Sequence, residues 1–98
     1  HPPRFWGHLA RAHYTAKRYA DAVSASGHIE SPDMLQLAFL AASHAGADDN
    51  TQAEHCVALA MRENADLTIN HLMTLQHYAR EEDTQHFRDG LLKAGFTD

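Results

Sequence analysis

The sequence predicts an all-α fold, a right-handed α-α superhelix of three antiparallel helix pairs. Apolar and small residues follow helical three-and-four spacing along most of the chain, and no strand-like alternation competes with them. A 31-residue step also relates two stretches of the chain. Small residues at its fixed places favour closely packed hairpins, because a short side chain lets two backbones approach. The matched residues are Leu9 and Ala10 with Leu40 and Ala41, His13 with His44, Ala16 with Ala47, and Ala22 with Ala53.

The first helix pair is predicted over residues 4–30. Its opening helix runs from Arg4 to Ala16 and carries one apolar stripe. The next helix starts near Tyr19 and ends between Gly27 and Ser31. Pro32 prevents its continuation, because proline lacks the amide hydrogen and clashes with the preceding turn.

The second pair is predicted over residues 33–64. Ser31 is the expected N-cap, with Pro32 in the first helical turn and Gly46 near the end of the helix. Thr51 followed three residues later by Glu54 has the pattern of a capping box, which predicts the start of the fourth helix.

The third pair is predicted over residues 68–95. Thr68 should cap a fifth helix that extends to Tyr78, and the sixth helix should span residues 83–94 with Gly95 as its stop. This pair lacks the Leu-Ala and Ala landmarks of the first two. We expect it to close the stack as a divergent terminal cap.

Composition narrows the function classes for this 98-residue chain, which we expect to form a single domain. A net charge of −5 argues against a general nucleic-acid binder, which needs a basic surface. The lone cysteine, Cys56, favours a reducing compartment, and no apolar run approaches the roughly 20 residues of a membrane span. We therefore expect a cytoplasmic protein without membrane contact. Because it begins with His1 rather than Met, we expect a C-terminal fragment of a longer protein.

Charge is unevenly distributed along the chain. Acidic residues gather at positions 48–49 and 81–83, whereas four basic residues fall within the first 18 positions with no acid among them: Arg4, Arg11, Lys17 and Arg18. One interpretation is ordinary solvated helix surfaces. The other is head-to-tail electrostatic complementarity between modules or protomers.

The spacing W-x-x-L-A-x-x-H-Y-x-x-x-x-Y-x-x-A resembles a tetratricopeptide repeat, a helical-hairpin family. It is carried by Trp6, Leu9, Ala10, His13, Tyr14, Tyr19 and Ala22. The second copy supplies Leu40, Ala41, Ala53 and Ala60, with Ala65 where the family usually has proline. The step is shorter than the family's usual ~34 residues, which indicates a shorter loop.

A narrower resemblance covers nearly the whole length. The strings SPDMLQLAFLAASHAG, ENADLT and GLLKAGF, the last at residues 90–96, are similar to the C-terminal repeat regions of bacterial adenylate/guanylate cyclases. Related tails also occur on some bacterial winged-helix regulators. The resemblance implies a non-catalytic sensory or protein-interaction part of a bacterial signalling protein, whose catalytic or DNA-binding part lies outside this chain.

In tetratricopeptide domains, the first helix of each pair lines a concave groove that holds an extended peptide or a helix. Carried over by position, the groove comprises Arg4, His8, Arg11, Tyr14, Leu35, Ala38, Phe39, Ala42, Asn70, Thr74 and His77. Its basic, aromatic wall would suit an acidic or amphipathic protein segment, and self-association is a further possibility. Alternatively, Tyr14 and Phe39 belong to the core and the arginines are solvated.

The sequence offers no enzyme, metal or cofactor motif. None of the nine histidines stands three or four residues from another, the spacing that places two imidazoles on one helix face. His55 and Cys56 are neighbours, which point about 100° apart on a helix and form no dyad. Two other functions stay open. One is a small-molecule or pH sensor with a pocket of His44, His77 and Tyr78, and the other is a structural spacer.

Overall fold

A computed structural model describes residues 3–98, without the side chain of Pro3. His1, on which the expectation of a fragment depends, and Pro2 lie outside the described residues. The described chain forms six α-helices and no strand, so the all-α prediction is confirmed. The helices are α1 (Pro3–Thr15), α2 (Tyr19–Ser26), α3 (Met34–Gly46), α4 (Asn50–Glu63), α5 (Ile69–Leu75) and α6 (Glu81–Ala94). No helix of residues 3–98 has the length and apolarity that a membrane crossing requires.

The 31-residue step is present in the backbone. The second helix of each pair begins at Tyr19, Asn50 and Glu81, each 31 residues after the last. In the first two hairpin turns, Lys17 and Asp48 both adopt the left-handed conformation with φ 63°. The following residue donates its amide to the carbonyl five residues earlier at 2.8 Å in each turn. The first two hairpins therefore share one turn geometry as well as one sequence pattern.

Left-handed Lys17 provides a test of this turn. An L-residue pays roughly 1–2 kcal/mol in that conformation, a cost that glycine avoids. Lys17→Gly is expected to raise the free energy of unfolding by about 0.5–1 kcal/mol in urea denaturation, even after the added freedom of the unfolded chain. Ala12→Gly, at an exposed position inside α1, should instead lower it by about 1 kcal/mol. If both variants lose the same stability, the left-handed turn is not strained.

Helix α3 begins with a capping box centred on Asp33. The Asp33 carboxylate accepts the Gln36 amide at 2.8 Å, and the Gln36 side-chain oxygen accepts the Asp33 amide at 2.9 Å. The prediction of Ser31 as cap is wrong, and Pro32 precedes the helix rather than opening it. Asp33 is the N-cap because its carboxylate lies directly before the first helical residue, where the helix dipole favours negative charge.

Helix α4 is capped by the Asp49 side chain alone, which accepts the Gln52 amide at 3.3 Å. The predicted capping box of Thr51 and Glu54 is therefore wrong, because both residues lie inside the helix. Thr68 does cap α5, accepting the His71 amide at 3.1 Å.

The third pair departs from the first two in shape. Helix α5 ends at Leu75, so Tyr78 lies in the connection 76–80 instead of the fifth helix, and α6 begins at Glu81 rather than Asp83. This connection has five residues where the first two pairs have three. Helix α6 ends at Gly95, which has φ 121°, as predicted.

Helix α6, not α5, packs against the first two pairs. Contacts of Phe39 with Phe87 and of Asp48 with Lys93 show that α6 runs along α3 in the same direction. Helix α5 touches α3 and α6 over small areas, and within the described residues no helix contact joins α4 to α5. A regular third pair would place its first helix, α5, beside α3. In this protein the second helix of the pair, α6, lies there.

All six helices contribute to one hydrophobic core. Fully buried side chains come from every helix, and the repeat's small residues Ala10, Ala22, Ala41 and Ala53 are among the buried ones. Cys56 is also buried, on the apolar side of α4. The small residues thus sit where helices approach, as the spacing predicts.

Candidate functional site

Helix α6 covers part of the predicted groove. Tyr14, Phe39 and Ala42 are 1%, 2% and 0% exposed, so they belong to the core, as the alternative interpretation of Tyr14 and Phe39 holds. Phe39 stacks on Phe87 of α6 at 4.3 Å between ring centroids and an angle of 11°. Helix α6 buries its apolar side against these residues.

The remaining predicted groove residues do not form one surface. Asn70 accepts a hydrogen bond from Arg88 at 2.9 Å, and Thr74 donates to the His71 carbonyl within α5. Ala38 is buried, and Leu35 is half-buried beside a cavity of about 130 Å³ between α1, α2 and α3. Arg4 and His77 are exposed. His8 and Arg11 of this set together line an open cleft with residues 76–83.

These two residues line an open cleft between α1 and the start of the third pair's second helix. We call it the α1 cleft. It is formed by His8, Arg11, Ala12, Thr15, Ala16, Gln76, Tyr78, Arg80 and Asp83. The connection 76–80 supplies its opposite wall, which the sequence interpretation placed partly inside a helix.

Arg11 is the charged residue that hydrogen bonds hold in place in the α1 cleft. Its half-buried guanidinium donates to the Gln76 side-chain oxygen at 3.0 Å and contacts His8 Nδ1 at 2.9 Å. A guanidinium only donates, so His8 accepts at Nδ1 in this contact. In the part of the chain that the structure describes, no carboxylate lies within ion-pair distance of Arg11, although Asp83 lines the same cleft. Arg11 is therefore held in place by an amide oxygen and an imidazole nitrogen.

A second bond ties the connection to α1. The hydroxyls of Thr15 and Tyr78 lie 3.0 Å apart. Burial raises the pKa of Tyr78, an effect that its bond with Thr15 opposes, so the phenol stays protonated at neutral pH. The α1 cleft thus has a polar, hydrogen-bonded wall that is held in place at two points.

A tyrosine–histidine cluster joins α6 to the first pair. Tyr14 stacks on His86 at 4.5 Å with an angle of 6° and donates its hydroxyl to the His86 carbonyl at 3.0 Å. The Tyr19 hydroxyl lies 2.8 Å from His86 Nε2. Sequence reasoning did not single out His86, because nothing in its local spacing indicates a partner 67 residues away.

The predicted sensor pocket of His44, His77 and Tyr78 is not assembled. Tyr78 faces Thr15, His77 is exposed, and His44 lies at the end of α3, where burial lowers its pKa and Asp49 opposes this shift. No contact among the described residues joins the three. The physical reason is the early end of α5, which carries residues 76–80 toward α1.

Chemistry-bearing side chains are dispersed. Over residues 3–98, His, Cys, Asp and Glu form no group of three or more that could hold a metal ion. Burial raises the pKa of Cys56, which disfavours the nucleophilic thiolate.

Comparisons with protein families, curated proteins and solved structures found no match to this chain. The α1 cleft is the candidate functional site, because it brings the half-buried Arg11 of α1 together with Gln76 and Tyr78 of the connection 76–80.

Proposed function

We propose that this chain is a non-catalytic protein–protein interaction module whose first two helix pairs have a tetratricopeptide-like superhelical arrangement. It serves a bacterial cytoplasmic signalling protein and is attached to an adenylate or guanylate cyclase domain. The repeated hairpin turn at Lys17 and Asp48 supports the repeat-like arrangement. The resemblance of residues 90–96 to cyclase C-terminal regions supports the parent protein. Helical repeat modules of this kind usually act by binding and spacing.

The contact surface is the α1 cleft, and the observation that carries this assignment is the bonding of Arg11. The half-buried guanidinium is held by an amide oxygen and an imidazole nitrogen, and no carboxylate of the described residues pairs with it. A carboxylate from a partner would form a charge-assisted, bidentate pair without displacing a rival acid.

The partner is a second copy of the chain. Arg4 and Arg11 lie on α1 and two further basic residues follow in the turn after it, whereas the whole chain carries a charge of −5 and exposes acids such as Glu54, Glu63 and Glu81. The basic residues of one copy are therefore complementary to exposed acids of another. For a cyclase whose active site forms between two subunits, such contact raises the effective concentration of the catalytic domains.

Arg11→Ala is expected to weaken self-association about tenfold, because the contributing charge pair is lost. The measurement is the change in amide chemical shifts as the labelled chain is diluted, which gives both the dissociation constant and the residues involved. The shifts should cluster at His8, Thr15 and Gln76. Arg62→Ala on α4, an exposed arginine outside the α1 cleft, is the matched control and should alter the constant less than twofold. Equal effects of the two variants, or shifts away from the cleft, would contradict the assignment.

A further inference from the structure

Helix α6 covers the face of α1 and α3 on which a groove was predicted. It presents Phe87, Leu91 and Ala94 to the core, all at most 2% exposed. Gly90 allows the closest approach, since a Cβ there would overlap the Tyr14 hydroxyl and lie 3.2 Å from the Ala42 Cβ. Displacement of α6 would therefore expose Tyr14, Phe39 and Ala42 together.

Among the described residues, two hydrogen bonds join α6 to the first helix pair, and both involve His86. Its ring stacks on Tyr14, its carbonyl accepts from the Tyr14 hydroxyl, and its Nε2 contacts the Tyr19 hydroxyl. Its Nδ1 is buried with no hydrogen-bond partner among the described residues. In the tautomer whose Nε2–H donates to the Tyr19 hydroxyl, Nδ1 is bare, and protonation would turn it into a buried N–H donor without an acceptor. An unpaired buried donor costs the free energy of an unmade hydrogen bond.

The groups around His86 carry both signs of charge. Tyr14 and Tyr19 face it from α1 and α2, and burial keeps Tyr14 in its neutral form by raising its pKa. Lys17, in the turn between these helices, opposes a positive imidazole, whereas Asp83 and Asp89 on α6 favour one. Lys93 also lines the cavity beside His86 but is paired with Asp48. Burial is the largest influence, and together with Lys17 it lowers the pKa of His86.

We propose that His86 is an acid-sensitive latch, whose protonation loosens α6 and uncovers the face formed by Tyr14, Phe39 and Ala42. At neutral pH the unprotonated ring fits between Tyr14 and Tyr19 and the face stays covered. In acid the open form takes up a proton more readily than the closed form. Opening is therefore favoured as the pH falls below 6.5, the ordinary pKa of histidine.

The test is amide hydrogen exchange of the unmodified chain at pH 7.5, 6.5 and 5.5, corrected for intrinsic exchange rates. The opening constant of α6 should rise below pH 6.5, by at most about tenfold per pH unit for one proton. The amides of α2 and α4 should change less than those of α6. Equal acceleration of amide exchange in all helices, or an opening constant of α6 that does not change with pH, would overturn the latch.

Two substitutions assign the effect to the imidazole. His86→Gln and His86→Phe both remove the titrating group, and each should abolish the pH dependence of α6 opening whatever its effect on overall stability. His44→Gln is the control, because the pKa of His44 is also lowered by burial but its side chain lies at the end of α3. His44→Gln should leave the pH dependence of α6 opening unchanged. If the His86 variants keep the dependence, or His44→Gln removes it, another group is responsible.

Discussion

Phe87→Ala is expected to lower the free energy of unfolding by about 3–5 kcal/mol, the largest effect of any single change considered for this chain. The Phe87 side chain is fully buried and stacks on Phe39, and its ring also meets Tyr14 and Tyr78 edge-on. Alanine would lose this buried area and leave a cavity where α6 meets α1 and α3. Since small domains are stable by only about 5–15 kcal/mol, much of the native stability would be lost.

Urea denaturation followed by circular dichroism measures this effect. Leu92→Ala is the matched control on the same helix, because Leu92 is 48% exposed and faces away from the core. It should cost less than about 1 kcal/mol. If Phe87→Ala costs no more than Leu92→Ala, α6 does not pack along α3 as described.

Gly90→Ala is expected to destabilise the protein by about 2 kcal/mol, although alanine normally favours a helix by about 1 kcal/mol over glycine. The added methyl group would overlap the Tyr14 hydroxyl, and Ala42 at 3.2 Å prevents escape toward α3. The Tyr14 ring is held by its stack on His86 and cannot turn away freely. The steric cost therefore exceeds the gain in helix propensity.

A double-mutant cycle with Tyr14→Phe tests this explanation. The phenylalanine lacks the overlapping hydroxyl, so Gly90→Ala should cost at least 1 kcal/mol less in that background, about the coupling seen for residues in direct contact. Tyr14→Phe alone loses the bond to the His86 carbonyl and should cost about 1 kcal/mol. Additive effects of the two changes would show that Gly90 and Tyr14 are not in contact.

The sequence was informative where structure depends on local chemistry. Helical spacing predicted six helices, and the small residues at a 31-residue step predicted the two equivalent hairpins. Capping was predicted less well, because Ser31 and Thr51 had the usual spacing but the caps are Asp33 and Asp49, each directly before the first helical residue. Several polar residues close together compete for one cap, and their geometry decides between them.

The position of α6 could not be predicted from local pattern. Its packing depends on contacts such as Phe39 with Phe87 and Tyr14 with His86, which join residues far apart in the sequence. A repeat-based alignment placed α5 beside α3 and left Tyr14 and Phe39 in an open groove. The α1 cleft was predicted in part, through His8 and Arg11. Its second wall, with Gln76 and Tyr78, depends on where α5 ends.

The most direct test of the proposed function is the solution mass of the chain, measured by light scattering over a concentration series at low and high salt. We predict a mass that rises from 10.9 kDa toward that of a dimer or larger assembly as concentration increases. Because the contact is electrostatic, the rise should weaken in high salt. A monomer at every concentration in low salt would contradict self-association through the α1 cleft.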